Sequence, residues 1–340
     1  MAPSRRTGTQ PRLRPPEIRR ETMTDTFHLR RFAALDLGSL TVRLAVAEVE
    51  GSGKFRVVLH RREITGLGRE VAATGSLSQG DQERTLEALR GFAREMASLG
   101  VDRGQGVATQ AVRQAHNGKE FLQAAEEVLQ IPVRLLAPEE EALLTLRGVL
   151  SALAPKYLDA GALLVFDVGG GSSEFVLLRP GEEPVIAGLP LGVLSVSQSR
   201  PLGDPPQPHK VEDLKRELRR SLQDFYQPRL GVLLAKPPIL VGTAGSVTTL
   251  AAVAQDMAEY DPQRVNNYIL TKQEVAELAA ILAALPESER ARLPGIEPAK
   301  AGVMVAGVLI VQAILAVTGQ DHLVAIDAGL LEGVLAEMAG

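Results

Sequence analysis

Two short turns limit what this chain can fold into. Asp36-Leu-Gly-Ser39 ends the apolar strand that begins at Phe32, and Asp167-Val-Gly-Gly-Gly-Ser172 ends the one that begins at Ala162. They lie about 130 residues apart. Each leads into a returning apolar or alternating segment, Thr41 to Val49 and Glu174 to Leu178, so each reads as a β-hairpin. Glycine lets the backbone approach an anion and adopt turns closed to other residues. Successive N–H groups in such a turn form a concave anion site. The aspartate just before the turn points into the same crevice, where it can hold a hydrated Mg²⁺. One glycine turn at a strand end is mostly just a turn. Two of them, each opening an α/β unit, imply a cleft between similar domains that grips phosphates from both sides.

The element order around each hairpin supports this duplication. Phe55 to Arg61 reads as a third strand, and Ser78 caps a helix carrying Leu86, Leu89, Phe92 and Met96. Strands at Gly106–Thr109 and Ile131–Leu136 flank a helix capped by Asn117, and Pro138 opens another helix with Glu139, Glu140 and Glu141 in its first turn. The second half restarts near residue 160. Glu183 to Gly188 adds a strand, Lys210 to Tyr226 a helix, and Pro238 to Val241 a strand that enters Gly242-Thr-Ala-Gly-Ser246. That turn opens a helix, and helix N-termini favour phosphate. Helices follow at about 245–256, 273–284 and 298–317, then a strand at His322–Asp327 and a helix at Gly329–Met338. The pattern predicts two α/β domains with mixed sheets, residues 31–155 and 156–340.

Composition narrows the chemistry. The absence of cysteine excludes thiol nucleophiles, zinc-thiolate sites and iron–sulfur clusters. The five histidines are scattered, against a histidine-rich metal site. The longest apolar run, Val303–Val317, is too short to span a bilayer, so no membrane partner and a cytoplasmic location are expected. Residues 1–31 hold eight arginines against Glu17, Glu21 and Asp25, which leaves the rest of the chain acidic. Residues 1–30 read as a disordered basic tail, and general nucleic-acid binding is disfavoured for the remainder. There is no G-x-x-x-x-G-K-[ST] loop and no G-x-S-x-G elbow, and Gly169-Gly-Gly precedes a strand rather than a helix, so it is no dinucleotide fingerprint. Lys215, Arg216, Arg219 and Arg220 form a basic run on a helix, with Glu212, Asp213 and Glu217 placed to pair with them.

At this level the sequence resembles the exopolyphosphatase and guanosine pentaphosphate phosphatase (Ppx/GppA) family. The resemblance rests on Phe32–Leu44, Thr109-Gln-Ala-Val-Arg-Gln-Ala-His-Asn117, Glu139-Glu-Glu-Ala142, Val165–Val176, Leu189-Pro-Leu-Gly-Val, Gly242–Leu250 and Leu293-Pro-Gly-Ile-Glu-Pro. It covers residues 31–338 in order and implies the short form. It also implies two ribonuclease-H-like domains of the actin, sugar kinase and heat-shock ATPase superfamily, with the site in the interdomain cleft.

Residue roles follow from the same resemblance. Glu141 aligns with the glutamate that positions or activates water. Asp167 and Glu174 align with acids around the metal and the attacked phosphoryl group, with Asp36 at the end of the first hairpin strand as a further metal ligand. Arg113 aligns with a phosphate-contacting arginine. Gly169, Gly170, Gly171 and Ser172 align with the phosphate loop, and Gly38 and Ser39 with its first-domain counterpart. Gly242, Thr243, Ala244, Gly245 and Ser246 complete the expected phosphate-binding set. The implied cofactor is Mg²⁺ (or Mn²⁺). The implied substrate is polyphosphate, with guanosine pentaphosphate as the alternative, and the apolar C-terminal helices suggest a homodimer.

The chain also departs from the family's pattern. Leu40 and Thr41 stand where asparagine and serine are usual, Gly66 and Lys300 replace arginines, Gly302 an aspartate and Leu331 an arginine. These losses of polar contacts raise a second reading, a catalytically weak sensor of polyphosphate or nucleotide. An actin-like ATPase or sugar kinase is a third reading, since it shares the hairpins but lacks the Arg113 and Glu141 motifs.

Overall fold

The computed structural model describes residues 29–50, 55–158, 161–234 and 236–340. The expected basic tail lies outside them except for its last two residues. The first sheet contains β1 (Arg30–Leu37), β2 (Thr41–Val49), β3 (Phe55–Ile64), β4 (Arg103–Ala108) and β5 (Val133–Leu135), in the order β3-β2-β1-β4-β5. β1 runs antiparallel to β2 and parallel to β4. The second sheet contains β6 (Leu163–Val168), β7 (Ser173–Leu178), β8 (Val185–Leu189), β9 (Ile239–Thr243), β10 (Tyr268–Thr271) and β11 (His322–Ala325). Its order is β10-β11-β9-β6-β7-β8. Read from β8, it repeats the first sheet, with β10 added at the far edge. These are two ribonuclease-H-like domains.

Alternation along the strands distributes the core. Ala33, Leu35 and Leu37 of β1 pack with Leu89, Phe92 and Met96 of helix Gln79–Ser98 and with Phe121 and Ala125 of helix Gly118–Leu129. Phe32 and Ala34 face the other way, onto Leu331, Val334 and Leu335 of helix Leu330–Ala339. In the second sheet, Leu164 and Phe166 join a large core with helices Pro208–Arg229, Lys272–Ala284 and Met304–Thr318. Leu163 and Val165 meet Ala142, Leu146 and Val149 of helix Pro138–Ala152. The last helix of each half therefore covers part of the other half's sheet. The two helices cross with almost no space between them. A Cβ on Gly148 would collide with the Gly329 carbonyl, and one on Gly333 with that of Leu144.

Tertiary structure alters several sequence expectations. Helix Leu330–Ala339, grouped with residues 156–340 by chain order, packs on β1 and β2 of the first sheet. The apolar helices that suggested a homodimer are buried within one chain. The helix expected at 298–317 divides into a short 3₁₀ turn, Pro298–Lys300, and helix Met304–Thr318. β10 has only four residues and little periodicity to announce it. The basic run pairs as expected at Lys215–Glu212 and Arg216–Asp213, but Glu217 turns to Arg200 instead. No helix among the described residues is long and apolar enough to cross a membrane.

Candidate active site

The strand ends deliver their acids to one place. Asp36 and Asp167 follow Ala34 and Val165 on the faces covered by the crossing helices, so both side chains enter the space between the lobes. Hairpin register then sets their neighbours. Asp36 lies opposite Arg43, and Asp167 lies opposite Glu174. Equivalent positions of the duplicated hairpin thus hold an arginine in one lobe and a glutamate in the other. Arg43 Nε and Nη2 both donate to Asp36 Oδ2, at 2.9 and 2.6 Å. Asp36 Oδ1 is buried and has no hydrogen-bond partner among the described residues.

The glutamate run at the start of helix Pro138–Ala152 divides into three roles. Glu139 is exposed. Glu140 Oε2 accepts from the Ala137 N–H at 2.8 Å and caps the helix. Glu141 turns inward, its side chain only 15% exposed, and lines the cleft. Arg113, at the end of the short helix Gln110–Gln114, donates to the Leu136 carbonyl at 2.7 Å and reaches Glu141 Oε2 at 3.5 Å. It orients Glu141 from behind and does not itself line the cleft.

Two open turns face these acids. The Gly169 N–H bonds to the Ser172 carbonyl, and helix Val193–Ser199 donates to the carbonyls of Gly169 and Gly170. The N–H groups of Gly170 and Gly171 take no partner among the described residues. Across the cleft, the Ser39 and Leu40 N–H groups are likewise free of partners among those residues. Such amides suit phosphate oxygens. Thr243, Ala244, Gly245 and Ser246 line the same cleft, with Ala244 at φ 66°, an uncommon conformation for a residue with a Cβ. Gly242 is a correction: it lies inside β9 against Phe166, and its lack of a side chain serves packing rather than phosphate contact.

The cleft has a volume of about 350 Å³. Its electrostatics are dominated by converging acids. Burial, then Glu174, Asp36 and Asp167, push Glu141 well above the usual carboxylate range, while Arg113 opposes them. Burial and Asp167 raise Glu174. Burial raises Asp167 to about 6, with Arg43 opposing. No cage of three or more acidic, histidine or cysteine ligands forms among the described residues. One or two carboxylates, among them the orphaned Asp36 oxygen, suit a divalent cation of the Mg²⁺ kind, which keeps several waters and shares substrate phosphates.

The cleft also holds residues that sequence reading did not assign to it. Arg43, Arg62, Tyr260, Asp327 and Glu332 line it, as does Lys300, noted before only as a substitution. Arg43 was within reach of the sequence, because hairpin register places it opposite Asp36. The others arrive through tertiary packing. The unusual residues separate in the same way. Leu40 and Leu331 line the cleft, whereas Gly66 and Gly302 do not. Leu40 packs against the core of the second lobe, and a Cβ on Gly170 would lie 3.2 Å from its Cβ. It closes one end of the cleft by apolar contact. The space beside Gly302 is taken by the Glu287 carboxylate, 3.2 Å from where its Cβ would stand.

A two-lobed cleft with open amide turns above converging carboxylates is built to bind phosphate groups and place carboxylates beside them. The chain belongs to the Ppx/GppA phosphatase family, whose model matches residues 45–340. It is 32% identical over 328 residues to Exopolyphosphatase 2 of Mycobacterium tuberculosis, covering 92% of this chain and 99% of that protein. It is 28% identical over 285 residues to Exopolyphosphatase 1 of the same organism, covering 83% and 80%. The crystal structure of the Aquifex aeolicus Ppx/GppA family member matches with a TM-score of 0.74 at 31% identity, covering 91% of this chain and 97% of that one. An exopolyphosphatase-like protein of known structure matches with a TM-score of 0.82 at 25% identity, over 91% and 97%.

Proposed function

We propose that this chain hydrolyses the terminal phosphoanhydride of inorganic polyphosphate and releases orthophosphate. The observation that carries this reading is Glu141, held by Arg113 in a cleft that also presents two turns of unpartnered amides. The amides of Ser39, Leu40, Gly170 and Gly171 bind and orient the terminal phosphate. Glu141, in its deprotonated form, accepts a proton from the water that attacks the terminal phosphorus, and the bridging P–O bond breaks in line. Arg43 holds Asp36 in place. Of the acids Asp36, Asp167 and Glu174, one or two, with Asp36 offering its unpartnered Oδ1, would hold Mg²⁺ (or Mn²⁺). When bound, that cation supplies charge neutralisation of the phosphate oxygens and of the acid cluster. Guanosine pentaphosphate is the second reading, supported by an aromatic ring, Tyr260, on the cleft wall, with the Arg62 guanidinium over it.

The test compares orthophosphate release from long-chain polyphosphate and from guanosine pentaphosphate, with Mg²⁺, by wild type and Glu141→Ala. Loss of the water-positioning carboxylate should lower the rate roughly 10²–10⁴-fold. Release that survives Glu141→Ala sinks the assigned role. Binding of either substrate without release by the wild type identifies a sensor instead.

A further inference from the structure

Beside the cleft one carboxylate oxygen faces two cations from opposite lobes. Arg62, on β3, places Nε 3.0 Å from Glu297 Oε2. Lys300 Nζ stands 3.4 Å from the same oxygen. Neither contact is an aligned hydrogen bond: Glu297 Oε2 is shielded from water yet accepts none. Arg62 and Lys300 line the cleft, and the Arg62 guanidinium sits 5.5 Å from the Tyr260 ring centroid. Lys300 is buried, with Nζ 3.5 Å from where a Gly245 Cβ would lie, at the first turn of helix Ala244–Ala254. That helix end adds partial positive charge. Burial, and after it the neighbouring Arg62, hold the Lys300 ammonium down to about 8, with Glu297 opposing.

We propose that Glu297 is an internal counter-anion, occupying the Arg62–Lys300 pair until the distal phosphates of a linear phosphoanhydride chain displace it. The inference rests on the phosphohydrolase reading, and it assigns Glu297 the control of affinity for phosphates beyond the reacting one. Phosphate oxygens offer both cations aligned, charge-assisted hydrogen bonds that a single carboxylate oxygen does not provide. Glu297, with a side chain 31% exposed, can then turn to solvent. Glu297 therefore acts as a brake on substrate entry, and Arg62 and Lys300 act as the grip it covers.

The experiment is calorimetric binding of inorganic tripolyphosphate and of orthophosphate, in chelator so that no turnover intervenes. Wild type, Glu297→Gln, Arg62→Gln and the double variant are compared, with Glu297→Ser as a second variant should Glu297→Gln fold poorly. Removing the competing anion should tighten tripolyphosphate about 5-fold, the upper range for a partly exposed ion pair. Orthophosphate has no distal phosphate to engage the pair while it sits at the amide turns, so it should gain less. The gain should vanish when Arg62→Gln is added. Absence of tripolyphosphate binding, no tightening, equal tightening for both anions, or tightening that survives Arg62→Gln each overturns the proposal. The phosphate-release assay stands apart. Tightening without turnover removes the hydrolase reading alone, and turnover without tightening removes the role of Glu297 alone.

Discussion

Replacing Asp167 by asparagine should stabilise the protein while abolishing its activity, and the stabilisation should depend on pH. Asp167 is raised from 3.8 to about 6, chiefly by burial. A folded-state pKa above the unfolded value means that the native state binds the proton more tightly. The corresponding stability is present below about pH 4 and is lost as pH rises through 6. A shift of about two units corresponds to roughly 3 kcal/mol at pH values above both. Asp167 keeps part of its surface in the cleft, so solvent screening reduces this to about 1–2 kcal/mol. The assay is urea unfolding in chelator, with wild type and Asp167→Asn compared at about pH 4.5 and 7.5. The asparagine variant should be more stable by about 1–2 kcal/mol at the higher pH and by about a third of that at the lower. Millimolar Mg²⁺ should narrow the gap by stabilising the wild type more. A variant no more stable than wild type at pH 7.5, or a gain that ignores pH, refutes the account of the site as an uncompensated acid cluster.

Two further outcomes follow from the same geometry. Gly148→Ala forces a methyl group into the Gly329 carbonyl where the crossing helices meet, so urea unfolding should show a loss of about 1–3 kcal/mol; an unchanged midpoint means that the crossing is looser than described. Arg43→Met leaves Asp36 without its hydrogen-bond donor and removes one positive charge from a cleft lined by six acids. Phosphate release should fall at least about 10-fold, the effect of one charge-assisted contact, and its acid limb should move to higher pH; an unshifted limb shows that Arg43 does not govern the acids.

Local chemistry fixed much of this protein in advance. The Asp-x-Gly hairpins, the capping serine at Ser78 and the alternation of β1 and β2 depend on spacing and residue type, so the strands, the main helices and the duplicated plan are legible in the chain. Asp36, Asp167, Glu174 and the amide turns belong to those same hairpins, and the structure brings them to one cleft. Glu141 and Arg113 became legible only through resemblance, because a glutamate run looks like a solvated helix start until one member turns inward. Tertiary structure alone decided the rest. Helix Leu330–Ala339 crosses onto the first sheet because its apolar face finds its complement there rather than beside its chain neighbours. Gly242 became a packing residue because the Phe166 ring lies against it. Arg62, Tyr260, Glu297 and Lys300 meet across about 240 residues of chain, a juxtaposition that no local periodicity encodes. Pattern reports what each segment wants to bury; which segment answers that demand is settled only when the two lobes close on one another.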